Sequence, residues 1–266
     1  MYEVKSLGIF VGQGKCNAHC AHCAGVVHRK YAPKKDGIID KELIYKTLKY
    51  CYSKGARSLS ITSSGEPTLS PLAITKALDL VYNLKKENIN YTWINLYSNG
   101  IRIGENKEFC KKYLSLWKDY GLKTIYITVH DINEKKNAKL YNIKKYPPLE
   151  RIVSRIHNEN ILTRANLVLS KNNIDTSEKF ISFVKDLRKI EFDHISAWPI
   201  RNLEDKVDLE LSPNKEELDK MEYWIEKNKD PKCRIRLLRE NSRILYESGK
   251  KLTLFPDGKL SSSWCN

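Results

Sequence analysis

Three cysteines lie within eight residues near the start of the chain, in the segment GKCNAHCAHCAG at positions 14–25. Cys16, Cys20 and Cys23 have the spacing C-x3-C-x2-C. A cubane iron–sulfur cluster contains four irons and normally takes four thiolate ligands. Three thiolates from one short loop would leave one iron without a protein ligand, and an open metal position is typical of a reactive site. The loop therefore predicts a [4Fe-4S] cluster that takes part in chemistry.

Two other interpretations of this loop remain open. It could bind zinc, with His19, His22 or His28 as the fourth ligand, or its three thiols could simply be buried. Zinc sites usually combine two cysteine pairs, and the sequence has no second pair nearby. The cluster is the favoured interpretation.

The elements around the loop follow an alternating pattern that is typical of a parallel α/β fold. Strands are predicted at 6–11, 58–62, 91–97, 124–129, 164–169 and 194–198, and helices at 40–54, 71–87, 107–120, 149–158 and 176–189. Asp40 is expected to cap the first helix. Six βα-like units predict a partial (β/α)6 TIM-like barrel, with its chemistry at the carboxyl ends of the strands.

The alternating pattern stops after about residue 202. A helix is expected to begin near Ser212, a basic segment contains Cys233, and the tail predicts a β-hairpin around Asp257 and Gly258. We therefore divide the chain into a core barrel at 1–205 and a small helical and hairpin extension at 206–266, which is expected to cover the barrel mouth.

The composition of the 266 residues is that of a globular protein, with 41% apolar and 30% charged residues. We expect a cytoplasmic protein without a membrane partner, because no apolar run could span a bilayer and the start does not resemble a secretory signal. Seven cysteines, three of them clustered, favour metal binding in a reducing compartment over disulfides. The net charge of +15 is spread along the chain, so it permits a polyanionic partner such as RNA without requiring one.

A second motif, Ser-Ser-Gly-Glu-Pro at 63–67, follows the second predicted strand. Gly65 allows the backbone to approach a ligand closely, and Glu66 offers an acceptor for an ammonium group. With the cysteine loop after the first strand, this pattern resembles the radical SAM superfamily, whose second motif is Gly-Gly-Glu-Pro. Ser64 replaces the first glycine of that motif, and His22 stands where an aromatic residue is more common.

The resemblance implies a complete cofactor set. Cys16, Cys20 and Cys23 would hold one [4Fe-4S] cluster whose fourth iron is chelated by S-adenosylmethionine (SAM), and the reduced cluster would cleave SAM to methionine and a 5′-deoxyadenosyl radical. An external one-electron reductant of the flavodoxin or ferredoxin type is implied as a partner. Residues of the second motif and of successive strand ends are then expected to contact SAM: Ser64, Gly65, Glu66, Pro67, Ser98, Asn99, Thr128, His130, Arg164, Asn166 and Trp198.

The C-terminal segment raises the question of further catalytic groups. The run from Phe255 to Cys265 resembles the Pro-Asp-Gly hairpin that begins an auxiliary-cluster domain in radical SAM peptide-modifying enzymes. With Cys233 it offers two thiols, too few for a normal second cluster, so we expect a remnant of that domain. Cys265 and His130 are the catalytic candidates, and His130 could alternatively form an acid–base pair with Asp131.

The function has three alternative interpretations, two of which differ in the substrate. The tail and His22 favour a peptide or a small metabolite. The positive charge and the segment at 64–69, which resembles the wyosine-type tRNA enzymes, favour tRNA, but those enzymes carry cysteines upstream that are missing here. The third alternative, a non-catalytic iron–sulfur electron carrier, is disfavoured because a carrier has no use for a SAM-binding turn at Glu66.

Overall fold

The fold is built on one largely parallel sheet. The structure is a computed structural model that describes residues 3–20, 23–171, 173–202, 206–239 and 251–262. In these ranges nine strands form one sheet in the order β7-β6-β5-β4-β3-β2-β1-β8-β9. The strands are β1 (Ser6–Phe10), β2 (Ser58–Thr62), β3 (Trp93–Ser98), β4 (Leu122–Val129), β5 (Leu162–Leu169), β6 (His194–Pro199), β7 (Arg234–Leu237), β8 (Lys251–Leu254) and β9 (Leu260–Ser261). The predicted mixed α/β fold with a parallel, partial-barrel sheet is confirmed.

Eight α-helices in the described ranges connect or flank the strands. They are α1 (Lys41–Ser53), α2 (Pro71–Asn83), α3 (Ile101–Glu105), α4 (Lys107–Asp119), α5 (Glu134–Tyr141), α6 (Leu149–His157), α7 (Ser177–Lys189) and α8 (Lys215–Lys227). Asp40 caps α1 as predicted, because its side chain accepts a hydrogen bond from the Leu43 amide. The short helices α3 and α5 were not predicted. A 3₁₀ helix at Ala24–Tyr31, directly after Cys23, was not predicted either.

Each strand presents different residues to its two faces. Leu59 and Ile61 on β2 and Ile125 and Ile127 on β4 are wholly buried and belong to the same hydrophobic core as the surrounding helices. Since successive side chains point to opposite faces, the intervening residues lie on the inner face of the curved sheet. These inner residues are largely polar, and the set includes Ser60, Asn95, Tyr126, Asn166 and Ser196. The inner face is thus suited to bind a ligand rather than to fill itself with apolar side chains.

The C-terminal segment adds strands at both edges of the sheet. β7 pairs in parallel with β6, and β8 pairs in parallel with β1 at the other edge. The predicted hairpin is present as β8 and β9, with Gly258 at a φ of 85° in its turn. Phe255, at the end of β8, packs against Phe10 and His28 with ring centroids 5.2 and 4.5 Å away. The division at residue 205 stays a prediction.

Cys233 and Cys265 are the two cysteines of the C-terminal segment. Cys233 is 4% exposed, and burial raises the pKa of its thiol to about 11. Cys265 lies outside the described residues, as does His22. No helix in the described ranges is long and apolar enough to cross a membrane.

Candidate functional site

The cysteine loop lies directly after β1, at the carboxyl end of the sheet. Cys16, Cys20 and Cys23 are all partly exposed. Gly14 turns the chain before Cys16 with a φ of 69°. The loop is held from the other side by α5, since the His19 amide donates to the Tyr141 carbonyl at 2.9 Å. The three thiols therefore share one supported loop that remains open to ligands.

The thiols also influence one another. Burial and the neighbouring thiols Cys23 and Cys16 raise the pKa of Cys20 to about 12. Burial is the largest cause of the raised pKa of Cys16 as well. Thiolates are the metal-binding form of cysteine, so nearby positive charge is needed to stabilise the three of them together.

The Ser63–Pro67 turn packs against the backbone of the cysteine loop. The Glu66 amide donates to the Lys15 carbonyl at 2.8 Å. A Cβ atom on Gly65 would lie 2.2 Å from that same oxygen and 2.4 Å from the Gly14 carbonyl oxygen. Because no side chain fits at 65, the two motifs can approach only with glycine there. The structure thus places Gly65 against the cysteine loop, and its contact with a ligand stays a prediction.

The carboxylate of Glu66 is the centre of a buried hydrogen-bond network. Its Oε1 accepts hydrogen bonds from the Thr68 amide, the Thr68 hydroxyl and the Ser98 hydroxyl, at 3.0, 2.6 and 2.8 Å. Its Oε2 accepts one from the Asn99 amide at 2.7 Å. Burial raises the pKa of Glu66, and these donors partly offset that effect. Oε1 accepts three hydrogen bonds and Oε2 only one, so Oε2 is the oxygen with capacity for a further donor.

No described lysine, arginine or histidine forms an ion pair with Glu66, which is 3% exposed. A buried carboxylate without a cation is costly, so the site is suited to a cationic ligand group. Thr68, which donates two of the hydrogen bonds, was not singled out from the sequence.

Asn99 links this carboxylate to the cysteine loop. Its amide binds Glu66, and its side-chain Nδ2 donates to Asn17 Oδ1 at 2.7 Å and lies 4.0 Å from the Cys16 sulfur. Its carbonyl accepts the Tyr146 hydroxyl at 2.8 Å. The predicted strand-end residue Asn99 is therefore brought to the site, while Asn17 and Tyr146 were missed.

Arg29 is a further residue that sequence reasoning missed. Its Nη2 lies 3.5 Å from the Cys23 sulfur, and its Nε donates to the Ser64 carbonyl at 3.1 Å. The Ser64 hydroxyl is buried and has no hydrogen-bond partner among the described residues. The basic residues at 28–30, after the third cysteine, were the available signal. The sequence does not tell which of these side chains turns back to the cysteine loop.

The remaining predicted contacts lie on β4, β5 and β6. Thr128 is opposite Asn166 in the sheet register, and Trp198 is opposite Val168. Asn166 Oδ1 accepts a hydrogen bond from Arg164 Nε at 2.9 Å. Arg164 lies two residues nearer the start of β5 than Asn166 does. The structure thus brings Thr128 and Asn166 together and leaves Arg164 further from the strand ends.

His130 is buried at the end of β4 and packs edge-on against the Tyr141 ring, with centroids 4.6 Å apart. The adjacent Asp131 accepts a hydrogen bond from the Asn133 amide through Oδ1, at 2.8 Å. The two side chains are engaged with different parts of the α5 segment, and a role for His130 in catalysis stays a prediction.

The donor set fits the predicted group. Three soft thiolates on one loop suit an iron–sulfur cluster, in which each thiolate binds a separate iron. Among the residues that the structure describes, no three histidine, cysteine or acidic side chains converge as ligands of a single metal ion would. Beside the loop lie a buried carboxylate with a spare lone pair and a buried hydroxyl without a described partner. Both are suited to a polar, cationic ligand.

Comparison with known families identifies the chain. The sequence model of the radical SAM superfamily matches residues 10–196, which is more than half of the chain. The chain belongs to this superfamily. A comparison with the sequences of curated proteins finds no significant match.

Solved structures with the same fold include several radical SAM proteins. Streptococcus suis SuiB bound to precursor peptide SuiA has a TM-score of 0.66 at 15% identity, over 100% of this chain and 60% of SuiB. anSMEcpe with bound AdoMet has a TM-score of 0.60 at 17% identity, over 98% and 74% of the two chains. Methylornithine synthase (PylB) has a TM-score of 0.58 at 14% identity, over 97% and 74%. The chain therefore spans less than two thirds of the length of SuiB.

Proposed function

We propose that this radical SAM enzyme binds one [4Fe-4S] cluster through Cys16, Cys20 and Cys23, with SAM beside it, and abstracts hydrogen from a peptide or small-molecule substrate. The observation that carries this proposal is the contact between the two motifs. Glu66 and Gly65 lie against the backbone of the cysteine loop, with the Glu66 amide 2.8 Å from the Lys15 carbonyl oxygen. A cofactor ligand of the turn would therefore lie next to a cluster held by the loop.

When bound, the cluster and SAM would supply reductive cleavage of SAM to methionine and a 5′-deoxyadenosyl radical. The chain's own residues would bind and orient the cluster and SAM. Glu66 Oε2 has a lone pair for the ammonium group of SAM, and Ser98 and Thr68 fix the carboxylate that carries it. Arg29 places a positive charge against Cys23 and so stabilises an anionic sulfur.

Thr128, Asn166 and Trp198 lie along the inner face of β4, β5 and β6, where they would contact the nucleoside part of SAM. The apolar faces of the sheet and helices exclude water from the other side. An external flavodoxin-like or ferredoxin-like protein would supply the electron, and dithionite can replace it in the test below.

The test is anaerobic reconstitution of the full chain with iron, sulfide, SAM and dithionite. We expect 5′-deoxyadenosine and methionine in equal amounts. Cys20→Ala should lose the iron and the product, because it removes one of three ligands. Cys51→Ala is the matched control, since Cys51 is a wholly buried thiol in α1 and should keep iron and product at the wild-type level. A reconstituted cluster with no 5′-deoxyadenosine would exclude the proposed activity.

A peptide is the first substrate class to test. The fold neighbour SuiB is bound to a precursor peptide, which is a fact about SuiB and motivates the choice for this chain. The net charge of +15 keeps tRNA as the alternative to be measured in parallel.

A further inference from the structure

The inner face of the sheet carries a row of aromatic and cationic side chains that lies deeper than the site described above. Directly opposite residues on five neighbouring strands form it: Tyr97, Tyr126, Arg164, His194 and Arg234. The row is two residues nearer the strand starts than Thr128 and Asn166. We call these five residues, together with Arg236 on β7 and Lys251 on β8, the cationic row.

Arg164 is held in a defined orientation at the centre of the row. Its guanidinium carbon lies 3.3 Å from the centroid of the Tyr126 ring, and its Nε donates to Asn166 Oδ1 at 2.9 Å. Tyr126 in turn meets Tyr97 edge-on, with centroids 5.0 Å apart. Because stacking and a hydrogen bond fix the guanidinium, its remaining donors are pre-organised for a ligand.

Lys251 on β8 places a second positive charge on the inner face of the sheet. β8 is separated from β3 by β1 and β2 in the sheet, yet Lys251 acts on the Tyr97 phenol. Burial raises the pKa of Tyr97, but the charges of Lys251 and Arg164 and a hydrogen bond from Arg164 outweigh that effect and lower it. The curved inner face thus carries cations from strands that are not neighbours in the sheet.

His194 also lies among positive charges, because it is opposite Arg164 and Arg234 in the sheet register. Burial lowers the pKa of its imidazole, and Arg164, Arg236 and Arg234 lower it further against the opposing effect of Asp193. Asp193 itself is engaged on the helix side, where its Oδ2 accepts hydrogen bonds from Thr163 and contacts His157.

The cations of the row have no carboxylate partner among the described residues. Arg164, Arg234, Arg236 and Lys251 form no ion pair with any described aspartate or glutamate, whereas other cations such as Lys49, Arg188 and Arg239 do. Arg164 and Lys251 are partly buried on this concave surface, and Arg234 and Arg236 are exposed at its β7 edge. Like charges on one surface repel one another and favour the binding of an anion.

We propose that the cationic row binds the carboxylate of an acidic side chain in a peptide substrate. This inference rests on the proposed function and names the substrate class of the same site. A guanidinium presents parallel donors that match the two oxygens of a carboxylate. A nucleic-acid backbone makes many contacts along an exposed stripe, whereas Arg164, His194 and Lys251 are partly buried on the inner face of the sheet. The acidic residue of the peptide would bind deep on the inner face, at the cationic row. The peptide residue that reacts would stay near the carboxyl ends of the strands.

The test uses a synthetic mixture of short randomised peptides, incubated under anaerobic conditions with the reconstituted full chain and SAM, and analysed by mass spectrometry of the bound fraction. We expect aspartate or glutamate to be enriched at one peptide position. The double variant Arg164→Gln/Lys251→Gln should lose this enrichment and bind the selected peptide at least about tenfold more weakly. Arg164→Lys, which keeps the positive charge but not the forked guanidinium, should lose less of the enrichment and of the peptide affinity.

The matched control is Lys111→Gln/Lys112→Gln, which removes the same charge from two exposed positions on α4 and should keep the enrichment. No acidic preference in the wild type, or a preference that survives in the Arg164 and Lys251 variant, would overturn the proposal. Tighter binding of a polyuridine oligonucleotide that depends on Arg164 would also overturn it, in favour of RNA. SAM cleavage by the wild type, measured in the same preparation, reports on the proposed function separately.

Discussion

Arg29 Nη2 lies 3.5 Å from the sulfur of Cys23, and the same guanidinium donates through Nε to the Ser64 carbonyl. One side chain thereby joins the last cysteine of the loop to the turn that precedes Glu66. Hydrogen bonds to the sulfurs are among the factors that set the reduction potential of an iron–sulfur cluster. Arg29 is therefore expected to adjust the electron affinity of the cluster as well as the relative position of the two motifs.

Replacing this arginine should make the cluster harder to reduce. Arg29→Gln removes a positive charge and a donor that stabilise the more negative, reduced state. We expect the potential to fall by about 60 mV, the shift that corresponds to a tenfold bias for a one-electron couple. A redox titration followed by electron paramagnetic resonance measures it.

Two further variants test whether the change in potential depends on a positive charge at position 29. Arg29→Lys should recover part of the potential, whereas Arg151→Gln, an exposed site on α6, should leave it at the wild-type value. An unchanged potential in Arg29→Gln, with iron content retained, would contradict the role of the Arg29 contact.

Glu66→Gln should weaken SAM binding more than it weakens the fold. The amide keeps one oxygen for the Thr68 and Ser98 donors but turns an N–H₂ toward the Asn99 amide, which costs about 1–3 kcal/mol of stability. It also removes the negative charge that would bind an ammonium. We expect the dissociation constant for SAM, measured by calorimetry on the reconstituted protein, to rise by at least about tenfold. Unaltered SAM affinity would show that the carboxylate does not contact the cofactor.

Gly65→Ala should separate the two motifs. The added methyl would lie 2.2 Å from the Lys15 carbonyl oxygen, and backbone rather than a flexible side chain would have to move. We expect a loss of about 1–3 kcal/mol or more in the free energy of unfolding, together with lower iron content after reconstitution. Gly8→Ala on β1 is the milder control, because its methyl would meet the Thr253 hydroxyl, which can rotate, at 3.0 Å. Equal stability of the two variants would argue against close packing at 65.

The contact between α7 and α8 should depend on pH in the acid range. Glu217 on α8 accepts the Ser177 amide at the start of α7, and this hydrogen bond, with a second contribution from Lys220, lowers the pKa of Glu217 to about 2. Because the pKa is lowered in the folded state, the stabilisation is present above the ordinary value of 4.5 and is lost as the pH falls toward 2. Glu217→Gln should flatten this part of the stability profile in urea unfolding. Glu216→Gln, a mostly exposed neighbour, should follow the wild-type curve.

The fold class and the two motifs that carry the proposed chemistry can be predicted from the amino-acid sequence alone. Alternating strand and helix patterns and the Asp40 cap are local signals, encoded in residues a few positions apart, and the structure confirms the elements they predict. The spacing of Cys16, Cys20 and Cys23 is equally local. It indicates a cluster loop without reference to the rest of the chain.

The distant residues that meet these motifs can be identified from the folded chain and not from the sequence. Arg29 reaches the Ser64 carbonyl across 35 positions, and Asn99 bridges Glu66 and Asn17 from β3. The pairing of β8 with β1 brings Lys251 to the inner face of the sheet, although the sequence indicated only a C-terminal hairpin. Such contacts depend on strand order and sheet curvature. Both arise from the burial of apolar faces over the whole chain, so no local pattern of residues records them.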